Sequence, residues 1–403
     1  MSQSSTNTET KSRVQIVDAL RGLALLGMLL VHFQYYVHDD SVWSQRIGAA
    51  VDFLAVDRFY PLFALLFGAG FALQFARWEG HREFVTMYVR RLSALMVFAA
   101  ILIALTGYHV LESYALWGLA LLVMRRWSNR MLIIVVLLSA FSRPVAHFIC
   151  WEWERSHNIT LEQSNARVDQ ELRLWPDYQH EDDRLRDQGS FSQLATHRLK
   201  HNFGVLLRWQ NDLPSDPFLM MLLGLLAVRL RVFEEIARHS MLLISIIVYG
   251  AVAGIISTLL WNLWHPQFTS LRLGMVYRTL VFAILDERFQ GLAYAAALSL
   301  WTGRPGAPQK FISLLAAPGR LSLTNYIMQI AILETLFASS TPFIRLNRWG
   351  ALAGVILVYL LQIWFSRWWM ARYRYGPLEW LWRSITFARW EPLVLERARA
   401  AAV

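Results

Sequence analysis

Apolar residues along this chain come in long runs rather than in strand-like alternation. Ten runs read as membrane-crossing helices: 15–37, 51–76, 90–107, 110–125, 131–150, 217–230, 239–262, 276–302, 321–338 and 348–367. Crossing the hydrocarbon core takes about 20 mostly apolar residues in a helix, and only a helix satisfies its backbone locally without water. The expected fold is therefore all-α: a polytopic membrane protein with about ten transmembrane helices in one bundle. Asp286, Glu287 and Arg288 interrupt the eighth run, and 271–302 is read as one long kinked helix. The stretch 151–216 is the one sizeable hydrophilic region, patterned as short amphipathic helices broken at Trp175-Pro176 and at Gly189. It is either a lid over the outer mouth of the bundle or a solvated loop. The expected divisions are a disordered segment 1–14, helices over 15–150, the hydrophilic region 151–216, helices over 217–367 and an amphipathic tail 368–403.

Composition and charge agree with this plan. Of 403 residues 56 % are hydrophobic, more than a soluble surface accommodates, and Trp alone occurs 18 times. The net charge is +10, yet no basic run has the form of a nucleic-acid site. The excess lies in alternate linkers: Lys11 and Arg13, then Arg77 to Arg91, Arg125 to Arg130, Arg229 to Arg238, Arg304 to Arg320, and the tail. Basic linkers face the cytoplasm, so both termini are expected there, and 151–216, with 12 acidic against 8 basic residues, outside. Cys150 is the one cysteine, which excludes an internal disulfide and a cysteine-based metal cluster. No cleavable leader pattern precedes the first run, which is read as an uncleaved anchor.

Charge inside an apolar run is costly and marks function. The first run carries Asp18, Arg21 and His32. At 3.6 residues per turn these three fall on one face of a helix, with about 16 Å of rise between Arg21 and His32. In the second run Asp57 and Arg58 are candidate counter-charges, Asp18 to Arg58 and Arg21 to Asp57, or a structural ion-pair lattice; Gly68 and Gly70 permit close helix approach or a bend. His109 and Glu112 lie between the third and fourth runs, on the same side as His32. A histidine beside a carboxylate exchanges protons near neutral pH; zinc-type spacing is absent, and no metal is expected. In the ninth run Asn325 and Gln329 share a face, where they either bind a ligand's polar groups or hydrogen-bond between helices. Just before it, Pro318-Gly319 reads as a turn feeding a helix N-terminus at which Arg320 and backbone N–H groups would hold an anion such as phosphate. The tail, rich in Arg and Trp, reads as an interfacial anchor with Glu379 as its odd residue.

Five stretches, DALRGLALLGMLL, FALLFGAGF, LESYALWG, GRLSLTNYIMQ and YGPLEWLWR, resemble the YeiB-like family of bacterial inner-membrane proteins, over nearly the whole chain. That family is similar in turn to membrane acyltransferases of the acyltransferase-three type and of the heparan glucosaminide acetyltransferase type. The former opens with Asp-x-x-Arg and ends its first span in a histidine, which Asp18, Arg21 and His32 reproduce; many YeiB-like proteins carry Asn in place of His32. At position 109 the family often has an acidic residue, where this chain has His109. The resemblance implies an inner-membrane acyltransferase with no bound cofactor and acyl-CoA as co-substrate. His32 with Asp18 and Arg21 would be catalytic. Asp57, Arg58, His109, Glu112, Arg320, Asn325, Gln329 and Glu379 would bind substrate, with Arg21, Arg58 and Arg320 near the CoA phosphates and Asn325 or Gln329 donating to an oxyanion. The acceptor would be a glycan or lipid-linked hydroxyl; the lipid bilayer and a homo-oligomer are the other expected partners. Two further readings of the same residues stay open. One is a transporter for a small anion or metabolite; the other is a non-catalytic membrane protein docking a partner through 151–216.

Overall fold

A computed structural model of the chain describes residues 2–34, 36, 37, 39, 41–107, 110–206, 216–263, 271–304, 306–337 and 346–395, with backbone alone for 2–14, 172, 205, 206, 216 and 261–263. The described residues are helical with no strand. In order the helices are α1 (Ser2–Gln34), α2 (Val42–Ala55), α3 (Phe59–Arg77), α4 (Phe84–Thr106), α5 (Leu111–Met124), α6 (Asn129–Ala140), α7 (Ser142–Ser156), α8 (Leu161–Gln188) and α9 (Phe191–Leu206). They continue as α10 (Asp216–Arg229), α11 (Ser240–Leu263), α12 (Leu271–Ile284), α13 (Arg288–Thr302), α14 (Gln309–Arg320), α15 (Ser322–Phe337), α16 (Arg348–Met370) and α17 (Pro377–Phe387). α1 thus extends back through the polar stretch that composition reads as disordered.

Fewer than ten of the described helices have the length and apolar character of a full membrane span. Among the described residues five helical stretches are long and apolar enough to cross a membrane: Gln15–Gln34, Val42–Arg77, Phe84–Thr106, Ser240–Leu260 and Arg348–Met370. A sixth arises if α6 and α7, bent by 50°, form one span. The length and apolar surface of these helices are those of a membrane protein. Apolar runs are blind to helix breaks. α5 and α10 have 14 residues each, about 21 Å of rise at 1.5 Å per residue, short of the bilayer core. The eighth run is two helices, not one kinked one: the Asp286 carboxylate accepts from the backbone N–H of Arg288 at 2.8 Å and pairs with its guanidinium at 2.7 Å. That local bond gives the backbone an alternative to the helical ladder.

Two helices came without warning from the runs. α2 begins before the second run and overlaps its first residues. α14 lies within the expected basic linker and packs along α1. The approach is backbone to backbone: a Cβ on Gly22 would fall 1.8 Å from the Leu315 carbonyl oxygen, and one on Gly319 would fall 1.9 Å from that of Asp18. Pro318-Gly319 is therefore inside α14, and the chain turns after Arg320.

In the hydrophilic region the break at Gly189 is observed, between α8 and α9, whereas Pro176 lies inside the continuous 28-residue α8. This hairpin closes onto the end of α4. Arg198, almost fully buried, reaches the carbonyls of Ala104 and Leu105 and pairs with Asp182 at 2.7 Å. Tyr178 and Asn202 both donate to the Gly107 carbonyl, at 2.7 and 2.8 Å. Cationic and hydroxyl donors on the last carbonyls complete a helix C-terminus. A second clasp, Arg272 to Glu154 (3.3 Å) and Glu171 (2.8 Å), ties α12 to α7 and α8.

Candidate functional site

The polar stripe on α1 borders two cavities. Asp18 accepts from Arg21 at 3.0 Å, and Arg320 reaches its other oxygen at 3.6 Å. Asp18 is buried, so a carboxylate there is tolerable only because two guanidiniums face it. Arg21 and Arg320 line a cavity of about 620 Å³ together with Arg91, Arg374 and Arg383. The deeper walls of this inner cavity are apolar and aromatic, including Phe63, Phe67, Leu95 and Tyr114. One floor of the cavity is α17, the segment read as an interfacial anchor. It is held there by Trp382, whose indole N–H donates to the Arg91 carbonyl at 2.8 Å while the Arg91 guanidinium lies 3.7 Å from the ring centroid. Its Glu379 accepts from the backbone N–H of Leu323 and Thr324, at 2.7 and 3.0 Å, and from the Thr324 hydroxyl at 2.5 Å. The expected anion at the N-terminus of α15 is thus the protein's own carboxylate. Burial pushes the Glu379 carboxyl above its ordinary range, and the Thr324 bonds pull it back only in part.

His32 lines a second cavity of about 890 Å³. Asp57, at the break between α2 and α3, borders this outer cavity with the left-handed φ of 60°. Glu334 does so too, accepting from Tyr36 at 3.3 Å. Residues of α8, among them Trp175, Tyr178, Asp182 and Asp183, form its roof. The hydrophilic region therefore covers the cavity on the His32 side. The Nδ1 of His32 is buried and has no hydrogen-bond partner among the described residues.

Four residues border both cavities: Met28 of α1, Tyr60 of α3, Val110 at the start of α5 and Tyr326 of α15. Helix direction follows from this. Asp18 and Ser322 line the inner cavity while His32 and Glu334 line the outer one, so α1 and α15 run the same way; α3, with Gln74 inner and Phe59 outer, runs against them.

Other expected assignments change. Arg58 reaches neither Asp18 nor the inner cavity, because antiparallel α1 and α3 place Asp18 and Arg58 at opposite ends. It is 2 % exposed and paired with Glu287 at 3.3 Å and Gln290 at 3.1 Å. Arg21 and Asp57 likewise line different cavities. The Asn325 amide donates to the Pro318 carbonyl and Ser366, at 3.0 and 2.9 Å. That of Gln329 donates to the Leu25 carbonyl and Gln362, at 3.2 and 2.9 Å. Both are fully buried and border neither cavity, so they tie α15 to α1, α14 and α16. Glu112 is buried in the first turn of α5 and also borders neither. His109 lies outside the described residues. In sequence Arg91 counts only toward orientation and Arg374 and Arg383 only toward a basic, interfacial tail; Tyr326 was hidden as one more aromatic in an apolar run.

Comparison with known proteins adds the following. Residues 227–389 match the model described as "Protein of unknown function (DUF418)". Residues 13–152, the part holding Asp18, Arg21 and His32, match "Heparan-alpha-glucosaminide N-acetyltransferase, catalytic". Among curated relatives, the "Uncharacterized protein YxaH" of Bacillus subtilis (strain 168) is 27 % identical over 96 % of this chain and 97 % of its own length. The "Uncharacterized 39.9 kDa protein in amylase 3'region" of Bacillus acidopullulyticus is 24 % identical over the same shares. The "Uncharacterized protein YeiB" of Escherichia coli (strain K12) is 35 % identical over 32 % of this chain and 34 % of its own. No solved structure matches the chain. These matches bear out the YeiB-like resemblance and its kinship with membrane acyltransferases.

Proposed function

We propose that the protein is a membrane acyltransferase that takes an acyl group, most simply acetyl, from acyl-CoA in the inner cavity and gives it to an acceptor hydroxyl in the outer one. The observation that carries this reading is the meeting of two unlike cavities, one ringed by arginines and one holding His32, at Met28, Tyr60, Val110 and Tyr326. Guanidiniums suit phosphate oxygens, so Arg21, Arg91, Arg320, Arg374 and Arg383 would hold the CoA phosphates. The thioester arm has about 16 Å to cover between Arg21 and His32, a span only an extended chain crosses.

His32 would take the proton of the acceptor hydroxyl as its oxygen attacks the thioester carbonyl. A C–O bond forms, the C–S bond breaks, and CoA leaves as a thiolate that recovers the proton from the imidazolium. The acceptor is read as a glycan or lipid-linked hydroxyl. The rings of Trp175 and Tyr178 and the carboxylates of Asp183 and Glu334 around the outer cavity offer apolar faces and hydrogen-bond acceptors to a polyhydroxylated ligand. The setting would be the bacterial inner membrane, with both termini and the arginine-ringed cavity cytoplasmic.

The same pair of cavities also favours a transporter of a small anion, entering at the arginines and leaving past His32. Release of CoA from labelled acetyl-CoA by purified protein separates the two. Turnover in the wild type that is lost in His32→Ala, with both proteins melting alike, supports the enzyme. No turnover and no melting shift with CoA removes acetyl-CoA as donor and leaves transport.

A further inference from the structure

We infer that Met28, Tyr60, Val110 and Tyr326 form a dry partition that keeps the two cavities from joining into an aqueous path and passes only a slender, extended chain. The four come from four different parts of the chain and each borders both cavities. A wide connection between cavities would leave such side chains exposed on both sides. Instead Met28 and Tyr326 are each only 9 % exposed, and Tyr60 and Val110 are half-buried.

The partition is built to stay in place. The Tyr326 ring is wedged between His32, at 6.1 Å between centroids, and Phe63, at 6.4 Å. The backbone carbonyl of Tyr60 is held by the Tyr114 hydroxyl at 2.7 Å. Beside it, Gly27 lets the Phe59 ring lie directly on α1, since a Cβ there would fall 2.1 Å from that ring. This closes the α1–α3 seam at the same level. None of the four side chains is charged, while charge resumes on both sides: Arg21 and Arg91 below, His32, Asp57 and Glu334 above. A narrow constriction of uncharged, mostly apolar surface between charged vestibules disfavours ions and hydrated solutes. A thioester arm is thin and flexible enough to pass it lengthwise; the phosphates behind it are not. That last clause rests on the acyl-transfer reading, whereas the partition itself does not.

The experiment replaces Cys150 with Ser and places a single cysteine at the inner cavity by Gln74→Cys. The protein is reconstituted in vesicles, and a small anionic methanethiosulfonate is added on one face or the other. In the parent, labelling from the α8–α9 face is expected to be slower than from the arginine face by an order of magnitude or more. Met28→Ala with Tyr326→Ala is expected to abolish that difference. Equal labelling from both faces of the parent overturns the partition; an asymmetry unchanged in the double variant overturns its assignment to these residues. In parallel, Val110→Trp, which narrows the passage, is expected to keep the melting shift given by CoA and lose acyl transfer. Normal transfer by Val110→Trp overturns passage of the arm at this point. A wild type without turnover defeats the acyl-transfer reading alone, because the labelling still decides the partition.

Discussion

The His32 imidazole faces the Tyr326 ring with centroids 6.1 Å apart and planes inclined by 45°. No carboxylate among the described residues bonds its buried Nδ1, so orientation of this histidine falls to packing. In the acyl-transfer reading the ring of Tyr326 keeps the imidazole turned to the outer cavity. Tyr326→Leu is expected to lower kcat while leaving the KM for acyl-CoA nearly unchanged. His32→Asn, near in size, is expected to lose about 10²- to 10⁴-fold in rate, the usual worth of a positioned base. Steady-state kinetics on the two variants checks both.

The arginines divide into two groups with opposite signatures. Arg374 lines the inner cavity, and Arg374→Gln is expected to raise the KM for acyl-CoA about 10- to 100-fold, since a hydrogen bond to a charged group is worth about 1.5–3 kcal/mol. Added salt should narrow the gap. Arg58 lies away from that cavity and its partner Glu287 is largely buried. Arg58→Leu is expected to cost about 3 kcal/mol of stability, as removal of one partner strands the other charge, without a change in KM. A thermal melt beside the kinetics distinguishes them.

The close pair of α1 and α14 allows a packing test. In Gly319→Ala the new Cβ meets the Asp18 carbonyl oxygen 1.9 Å away, and backbone cannot swing aside as a side chain can. Overpacking of this kind costs about 1–3 kcal/mol. The variant is expected to melt lower than wild type, and to bind CoA less tightly because Arg320 and Asp18 are prised apart.

The roof of the outer cavity is expected to loosen in acid. Burial works to raise the Asp182 carboxyl, but the bonds and charges of Arg198 and Arg186 outweigh it and hold the group below its ordinary value. A carboxyl lowered in the folded state contributes stability above its unfolded pKa, about 3.9, and loses it as pH falls through the folded value. Proteolysis between α8 and α9, near Gly189, should therefore accelerate below about pH 4. Asp182→Asn should show the faster cleavage already at neutral pH. Equal rates for wild type and variant at neutral pH would sink the idea.

What was legible in the sequence was what a single helix can say about itself. Asp18, Arg21 and His32 share a face because of helix geometry alone. The close approach at Gly68 was half readable: glycine in so apolar a run permits either close packing or a bend, and a Cβ there would lie 1.9 Å from the Met221 carbonyl oxygen. Partners were not legible. Asp18 meets Arg320 of α14, Arg58 meets Glu287, and Trp382 meets Arg91, each across helices whose neighbourhood no periodicity encodes. Nor was the role of Asn325 and Gln329 decidable, because a buried amide looks the same in sequence whether it serves a ligand or a neighbouring carbonyl. Helix breaks were misjudged in both directions: Pro176 sits within α8, while the Asp286 side chain ends a helix that apolar character alone would have continued.

The placement of α17 on the inner cavity has a consequence for biogenesis. α1 is the first of the described helices, and the floor beneath its Arg21 is laid by the last of them, with Trp382 and Glu379 as its fastenings. During synthesis the cavity therefore stays open underneath until α17 has emerged and docked. A chain ending before Pro377 would carry the bundle but lack this floor, so removal of α17 is expected to leave the arginine-lined cavity open on that side.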